Sequence, residues 1–331
     1  MSACLLNSII IIITCAQFHR GYWNMKRTNF IAYVAVFLAM VFWSYTFIWY
    51  KVVYNYYNPI TVVFFRLIIS SIFLFLLMYP LKKLQKIRKG DFKYFLLVSL
   101  FNPFLYFIGE SYGIKFVSST LTAVIIATIP LFTSFSSSYF LNEKITKMNL
   151  LGILVSIFGV GLVMFHQGRA VEASMFGIGM LCVAVASAIG YSFVLKKLTS
   201  RYNSITIVTY HNFIGVFLFA PLFFIIDFAE FRASGFSVEA WVPLMELAIF
   251  GSSFAFIFFT YAIQRIGVGK ANAFTNLIPV ITAIIAYFVL DEILNFNKIT
   301  GILLVIGGLF LSQINTNRLR KKITSYIRPS E

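Results

Sequence analysis

Two residues of opposite charge lie deep inside long apolar segments, where a charge can do chemistry. Arg66 stands seven residues into a segment that begins at Pro59, about 10 Å along a helix. Glu110 lies at comparable depth in the following segment. A charge there costs about 2.5–3.5 kcal/mol on insertion scales unless it meets a partner or water. We therefore predict that Arg66 pairs with Glu110 or binds an anionic ligand group; the alternative is an arginine that reaches the lipid headgroups.

His211 is a third ionisable residue within an apolar segment. Histidine is the side chain that titrates near neutral pH, so His211 and Glu110 are the two candidates for proton coupling. A single helical histidine also serves as a hydrogen-bonded packing residue, and that alternative stays open.

Amide and aromatic side chains supply candidate walls for a cavity. Asn272 and Asn276 are one helical turn apart and would share a face, which is unsuited to acyl chains. We expect them to line a cavity, with a hydrogen bond between helices as the alternative. Trp43, Tyr45 and Tyr191 are further candidates, with packing or anchoring at the membrane interface as the other reading.

Two prolines fall in the middle of apolar segments. Pro130 and Pro279 each remove an intrahelical donor and so free the carbonyls of Ile126 and Thr275. Such a position predicts a hinge or broken helix beside a site, or else a static kink. The three histidines and three cysteines have no metal-ligand spacing, and the sequence shows no catalytic or phosphate-binding motif. We expect neither an enzyme nor a cofactor or metal site.

The elements that must position these residues are membrane helices. Of 331 residues, 60% are hydrophobic and only 11% are charged, far below the roughly 25% of soluble domains. This composition excludes a soluble and a disordered protein and predicts an all-α polytopic membrane protein with ten transmembrane helices. The predicted spans are 30–50, 59–80, 94–114, 118–141, 150–165, 175–195, 205–226, 244–263, 271–290 and 299–314. The longest outer loop would be 227–243, too short for a soluble domain.

The net charge of +16 reports topology rather than nucleic-acid binding. Twenty-one of the 27 basic residues fall on one side if the first span enters from the cytoplasm. This asymmetry predicts cytoplasmic termini and contact of the cytoplasmic loops with anionic lipid. No nucleic-acid partner is expected.

A shift of 149 residues superimposes 101–165 on 250–314 without a gap. The identical pairs include Tyr112 and Tyr261, Pro130 and Pro279, Glu143 and Glu292, and Gly152 and Gly301. Upstream the offset is 145–146, so Arg66 corresponds to His211. Five spans per half is an odd number, so the halves must be inverted, as in secondary transporters.

The same repeat sets the predicted domain boundaries. They are an N-terminal extension or upstream start at 1–24, a first repeat at 25–165, a second repeat at 175–316 and a basic cytoplasmic tail at 317–331. We expect Glu143 and Glu292, at helix ends, to fix loop geometry through hydrogen bonds.

The twice-repeated pattern of Tyr, mid-helix Pro, Glu thirteen residues on and Gly nine further resembles the EamA family of the drug/metabolite transporter superfamily. The resemblance covers about 26–316 and implies ten helices, cytoplasmic termini and a central substrate cavity. We predict a secondary active transporter in a bacterial plasma (inner) membrane. It would move small organic solutes, such as amino acids, metabolites or amphiphilic drug-like compounds, by alternating access in the direction of export. The alternatives are a nucleotide-sugar or sugar-phosphate carrier and a non-transporting assembly factor; coupling ion and oligomeric state stay open.

Overall fold

The structure is a computed structural model that describes residues 30–133, 147–166, 169–170, 174–235, 237–267, 271–272 and 274–313. Ten apolar helices run through these ranges. They are α1 Phe30–Val53, α2 Pro59–Met78, α3 Lys89–Phe116, α4 Ser119–Thr133, α5 Lys147–Met164, α6 Met175–Thr199, α7 Ser204–Ser234, α8 Val238–Ile266, α9 Phe274–Val289 and α10 Phe296–Gln313. Six of them are long and apolar enough to cross a membrane, and α4, α5, α9 and α10 are shorter in their described apolar parts.

The predicted all-helical fold with ten helices is confirmed, with one small addition. Two-residue strands β1 Phe165–His166 and β2 Arg169–Ala170 pair antiparallel after α5. The predicted extension at 1–24, the tail at 317–331 and Glu143 lie outside the described residues.

The predicted outer loop at 227–243 is wrong. Helix α7 continues to Ser234 through a π-helical turn, and α8 begins at Val238. A charged residue after a long apolar run, such as Asp227, usually marks the end of a span. Instead Asp227 is buried, and its Oδ2 accepts hydrogen bonds from the backbone N–H and the hydroxyl of Thr61, each at 2.9 Å. A carboxylate with two donors can stay inside the bundle.

The repeat is visible in the contacts of two tyrosines. The Tyr57 hydroxyl, between α1 and α2, accepts a hydrogen bond from the backbone N–H of Ser237 at 3.3 Å. The Tyr202 hydroxyl, between α6 and α7, accepts one from the backbone N–H of Arg88 at 3.1 Å. Both members of this contact are repeat-related, the tyrosines at offset 145 and their donors at offset 149. The two halves are therefore joined by equivalent bonds at opposite ends of the bundle.

Glycines let α5 and α10 meet backbone to backbone. A Cβ added at Gly159 would lie 2.7 Å from the carbonyl oxygen of Gly301, and one at Gly308 would lie 2.5 Å from that of Gly152. These two contacts are also equivalent under the repeat. Small residues are what permits such close helix packing in lipid, where hydrophobicity does not drive association.

Both prolines lie where a helix changes its winding. The regular part of α4 ends at Ile126, the residue whose carbonyl Pro130 frees. Helix α9 opens with a 3₁₀ segment, Phe274–Leu277, and Pro279 lies in the first turn of the α-helix that follows. Helix α3 is kinked within Leu100–Leu105, where the backbone of Asn102 is extended, and α8 carries a π-helical turn at the equivalent place, Leu247–Phe254. Irregular winding thus gathers at the centre of the bundle.

Candidate functional site

A cavity of about 80 Å³ lies at this centre, between the two halves. Among the described residues, its wall consists of seven aromatic residues, seven polar or charged residues and five other apolar residues. The aromatic residues of the wall are Trp43, Phe47, Tyr106, Phe107, Tyr191, Phe256 and Phe259. The polar or charged residues are Thr46, Arg66, Asn102, Glu110, Ser192, Asn272 and Thr275. An apolar pocket with a few placed polar groups is the usual form of a small-molecule site.

The cavity lies on the pseudo-two-fold axis of the repeat. Five repeat-related pairs place both members on its wall: Thr46 and Ser192, Phe107 and Phe256, Glu110 and Phe259, Ile126 and Thr275, and Ile129 and Ile278. Each half therefore supplies an equivalent part of the wall. Inverted-repeat carriers place their substrate site at this interface.

Arg66 and Glu110 meet on the wall of the cavity. Arg66 Nη1 lies 3.8 Å from Glu110 Oε2, and the two side chains are only 2% and 7% exposed. The Tyr50 hydroxyl bridges them, because it receives a hydrogen bond from Arg66 Nη1 and donates one to Glu110 Oε2 at 3.3 Å. The Tyr106 hydroxyl donates to Glu110 Oε1 at 3.0 Å. The expected pairing of the two buried charges is thus present, with two tyrosines as further partners.

Ser252 and Gly251 of the second half lie against the other side of the Arg66 guanidinium. Its Nε donates to the hydroxyl of Ser252 on α8, and the Phe107 ring centroid lies 4.2 Å from its Cζ. Gly251 leaves the space, since a Cβ there would lie 2.5 Å from Cγ2 of Thr46 and 3.3 Å from Arg66 Nη2. Within the described chain Nη2 makes no hydrogen bond. Arg66 can therefore offer the N–H groups of Nη2 to a carboxylate in the cavity.

A buried polar network supports Ser252. The Asn212 side-chain N–H₂ group donates to the Ser252 carbonyl oxygen at 2.9 Å and to Ser70 Oγ at 2.7 Å. Ser70 Oγ in turn lies 2.7 Å from Ser253 Oγ. The sequence reasoning missed this network as well as Tyr50 and Tyr106. Small polar residues at membrane depth on α2, α7 and α8 are the signal that could have indicated it.

Several other predicted residues also lie at the cavity. Trp43, Tyr191, Asn272 and Pro130 all contribute to its wall. The indole of Trp43 packs against Phe256 and Phe259 of the second half, with ring centroids 5.1 and 5.0 Å apart. Asn102, which the sequence reasoning passed over, adds a second amide to the wall.

Three predicted residues lie elsewhere. Tyr45 is 40% exposed and stacks on Trp49, because its place two residues after Trp43 turns it to the opposite side of α1. Asn276 is buried outside the cavity wall, because it belongs to the 3₁₀ segment and the expected α-helical spacing from Asn272 does not hold. His211 is fully buried behind the wall.

The remaining repeat-matched residues lie near the outer ends of helices or in packing contacts. Glu292 accepts hydrogen bonds from the backbone N–H of Ser119 at 2.9 Å and the hydroxyl of Thr120 at 2.7 Å, and so ties the end of α9 to the start of α4. Tyr112 forms an edge contact with Phe176. The Arg265 guanidinium lies 5.4 Å from the ring centroid of Tyr261. These residues are arranged for structure.

Among the described residues, no three His, Cys, Asp or Glu side chains come together as a metal site. What the chain does place at its centre is a cavity of about 80 Å³ on the axis of an inverted helical repeat. Such an architecture is that of a membrane transporter.

The family follows from comparison with known proteins. Residues 30–165 and 175–314 each match the EamA-like transporter family, and the chain belongs to it. One solved crystal structure superimposes with a TM-score of 0.64 at 14% identity, over 86% of this chain and 98% of that one. At that identity it shows the fold alone.

Named relatives are transporters too. The uncharacterized transporter YetK of Bacillus subtilis is 28% identical over 75% of this chain and 76% of its own length. The uncharacterized transporter YoaV of the same organism is 25% identical over 86% and 97%. A probable terminal-alkyne amino-acid exporter of Streptantibioticus cattleyicolor is 24% identical over 88% and 96%. The chain is thus a membrane transporter and not an enzyme.

Proposed function

We propose that this transporter is a secondary active carrier that exports small zwitterionic amphiphiles, such as amino acids with apolar side chains, by alternating access. The observation that carries the proposal is the charge-neutral Arg66–Glu110 pair on the wall of an aromatic cavity between the two halves. One cation, one anion and two tyrosine hydroxyls match a molecule with one carboxylate and one ammonium group.

Each group of such a substrate has a counterpart on the cavity wall. A substrate carboxylate would accept hydrogen bonds from Arg66 Nη2, which is unused in the described chain. A substrate ammonium would donate to Glu110, whose carboxylate is already oriented by Tyr50 and Tyr106. An apolar side chain would lie against the aromatic wall, where burial yields about 25 cal/mol per Å².

The charge of the cavity argues against the sugar-phosphate alternative. A phosphate dianion requires an excess of positive charge, whereas Glu110 neutralises Arg66, the only Lys or Arg among the described residues of the wall. The assembly-factor alternative has no large loop to support it in the described ranges. The name of the Streptantibioticus relative supports an amino-acid substrate and export.

Further parts of the proposal concern coupling and location. Glu110 is the better candidate for proton coupling, because it lines the cavity and His211 does not. Bacterial and archaeal relatives and the basic loops favour a prokaryotic plasma membrane with the termini and the basic loops in the cytoplasm, against anionic lipid.

Counterflow into liposomes tests the proposed substrate class. We expect purified protein to exchange labelled L-phenylalanine, and unlabelled phenethylamine, 3-phenylpropionate and glucose 6-phosphate to compete poorly. Arg66→Ala should lose exchange, and Arg232→Ala, which alters an exposed arginine, should retain it. Better competition by glucose 6-phosphate than by L-phenylalanine would overturn the substrate class.

A further inference from the structure

His211 and Arg66 each pack against the equivalent phenylalanine of their own half. They are 145 residues apart, on α7 and α2. The Arg66 Cζ lies 4.2 Å from the ring centroid of Phe107, and the His211 ring lies 5.5 Å from that of Phe256. Phe107 and Phe256 are themselves repeat-related, at offset 149. The contacts therefore place His211 as the structural counterpart of Arg66.

The two residues differ in their access to the cavity. Arg66 is on the wall, whereas His211 is 0% exposed and sits behind Phe256 and Tyr191, which are on the wall. The ring centroids of His211 and Tyr191 are 6.1 Å apart. Neither ring nitrogen of His211 has a hydrogen-bond partner in the part of the chain described. A buried polar group without a hydrogen-bond partner is destabilising, so the position suits a group that gains a partner in another state.

Inverted repeats indicate what that state is. Alternating access exchanges the conformations of the two halves, so that each residue acquires the surroundings of its counterpart. Arg66 would then be covered by Phe107, as His211 is now covered by Phe256. His211 would line the cavity, as Arg66 does now.

We propose that His211 is a substrate-binding residue of the opposite-facing state, where its imidazole N–H binds the carboxylate that Arg66 binds in the present state. This inference rests on the proposed function for the identity of the ligand, but the exposure of His211 does not depend on it. A neutral imidazole makes a weaker hydrogen bond to a carboxylate than a guanidinium does. The second subsite therefore holds the carboxylate more weakly than the first.

Cysteine accessibility tests the inference on the full chain. In a protein with Cys4, Cys15 and Cys182 changed to Ser, His211→Cys is exposed to a membrane-impermeant methanethiosulfonate reagent on each face of sealed vesicles. The matched control is Ile207→Cys, which is also 0% exposed and lies one turn nearer the end of α7 that bears the basic loops. We expect His211→Cys to react about tenfold faster than Ile207→Cys from the face with the basic loops, since a minor state populated at 0.1–10% suffices.

The outcomes separate the two proposals. Slower reaction of His211→Cys than of Ile207→Cys, or no reaction from either face, would overturn the exposure of His211. L-phenylalanine should slow the labelling at least twofold, and labelling that it leaves unchanged would refute binding at this position. A second variant, His211→Gln, keeps an N–H donor, and we expect it to retain L-phenylalanine counterflow with a KM within about threefold of the wild type. His211→Leu has no such donor and should raise the KM more than tenfold. Wild-type protein that moves no L-phenylalanine would instead contradict the proposed substrate class.

Discussion

The substitution Glu110→Gln tests the energetics of the buried charge pair. Glutamine keeps the shape but only one of the two acceptor oxygens, since Tyr50 donates to Oε2 and Tyr106 to Oε1, so the change removes the charge and one acceptor but little packing. It leaves Arg66, which is 1% exposed, without a counter-charge. Removing one member of a buried ion pair costs about 3–5 kcal/mol. We expect Glu110→Gln to destabilise the fold by about 3 kcal/mol, at the lower end of that range because Tyr50 and Ser252 still bind Arg66.

A thermal midpoint in detergent measures this cost. At roughly 2–4 °C per kcal/mol, the value for larger domains, the midpoint of Glu110→Gln should fall by about 6–12 °C. The control Glu239→Gln removes an exposed carboxylate and should shift the midpoint by less than about 2 °C, as surface substitutions do.

The double variant Arg66→Met, Glu110→Gln completes a double-mutant cycle with the two single variants. Replacing both members of a buried pair is often nearly neutral, so the double variant should be more stable than the sum of the single changes predicts, by at least the roughly 3 kcal/mol expected for Glu110→Gln alone. If the Glu110→Gln midpoint equals the wild-type value, or if the stability changes of the two single variants are strictly additive in the double variant, the pair is not electrostatically coupled.

Three further predictions follow from the packing and hydrogen bonds. Gly159→Ala should lower the thermal midpoint by several degrees because its Cβ would meet α10 at 2.7 Å, whereas Gly161→Ala, with open space around it, should not. Tyr202→Phe removes the donor to the Asp91 carboxylate at 2.8 Å and should cost about 1–3 kcal/mol, read as a lower midpoint. Glu292→Ala removes the acceptor for the first turn of α4, costs about 1 kcal/mol, and should speed hydrogen exchange there; unchanged exchange would contradict it.

The helices and their repeat could be predicted because the membrane makes them local properties of the sequence. Apolar length predicts a span, and matched Pro, Glu and Gly positions predict the duplication. The end of α7 could not be predicted in this way. Asp227 reads as a loop residue until its partner Thr61, 166 residues away along the chain, is known.

The candidate site was predicted only in part, for a similar reason. Arg66 and Glu110 were identifiable because buried charges are rare, and their pairing follows from matching depth. Asn276 lies outside the cavity wall because a 3₁₀ turn changes the helical spacing. Tyr45 points away from the cavity because two residues of helix rotate a side chain by about 200°. The supports of Arg66, above all Ser252 and Asn212, come from the other half of the chain, and spacing within one helix does not reveal them.

Filling the cavity tests whether the substrate passes through it. Ala188 lies on the cavity wall, and an indole at this position would occupy the space a substrate needs. We expect Ala188→Trp to abolish L-phenylalanine counterflow in liposomes, while Leu76→Trp, at a side chain that is 72% exposed on α2, should exchange at the wild-type rate. Wild-type counterflow by a folded Ala188→Trp protein would show that the substrate takes another route and that the central cavity is not the transport site.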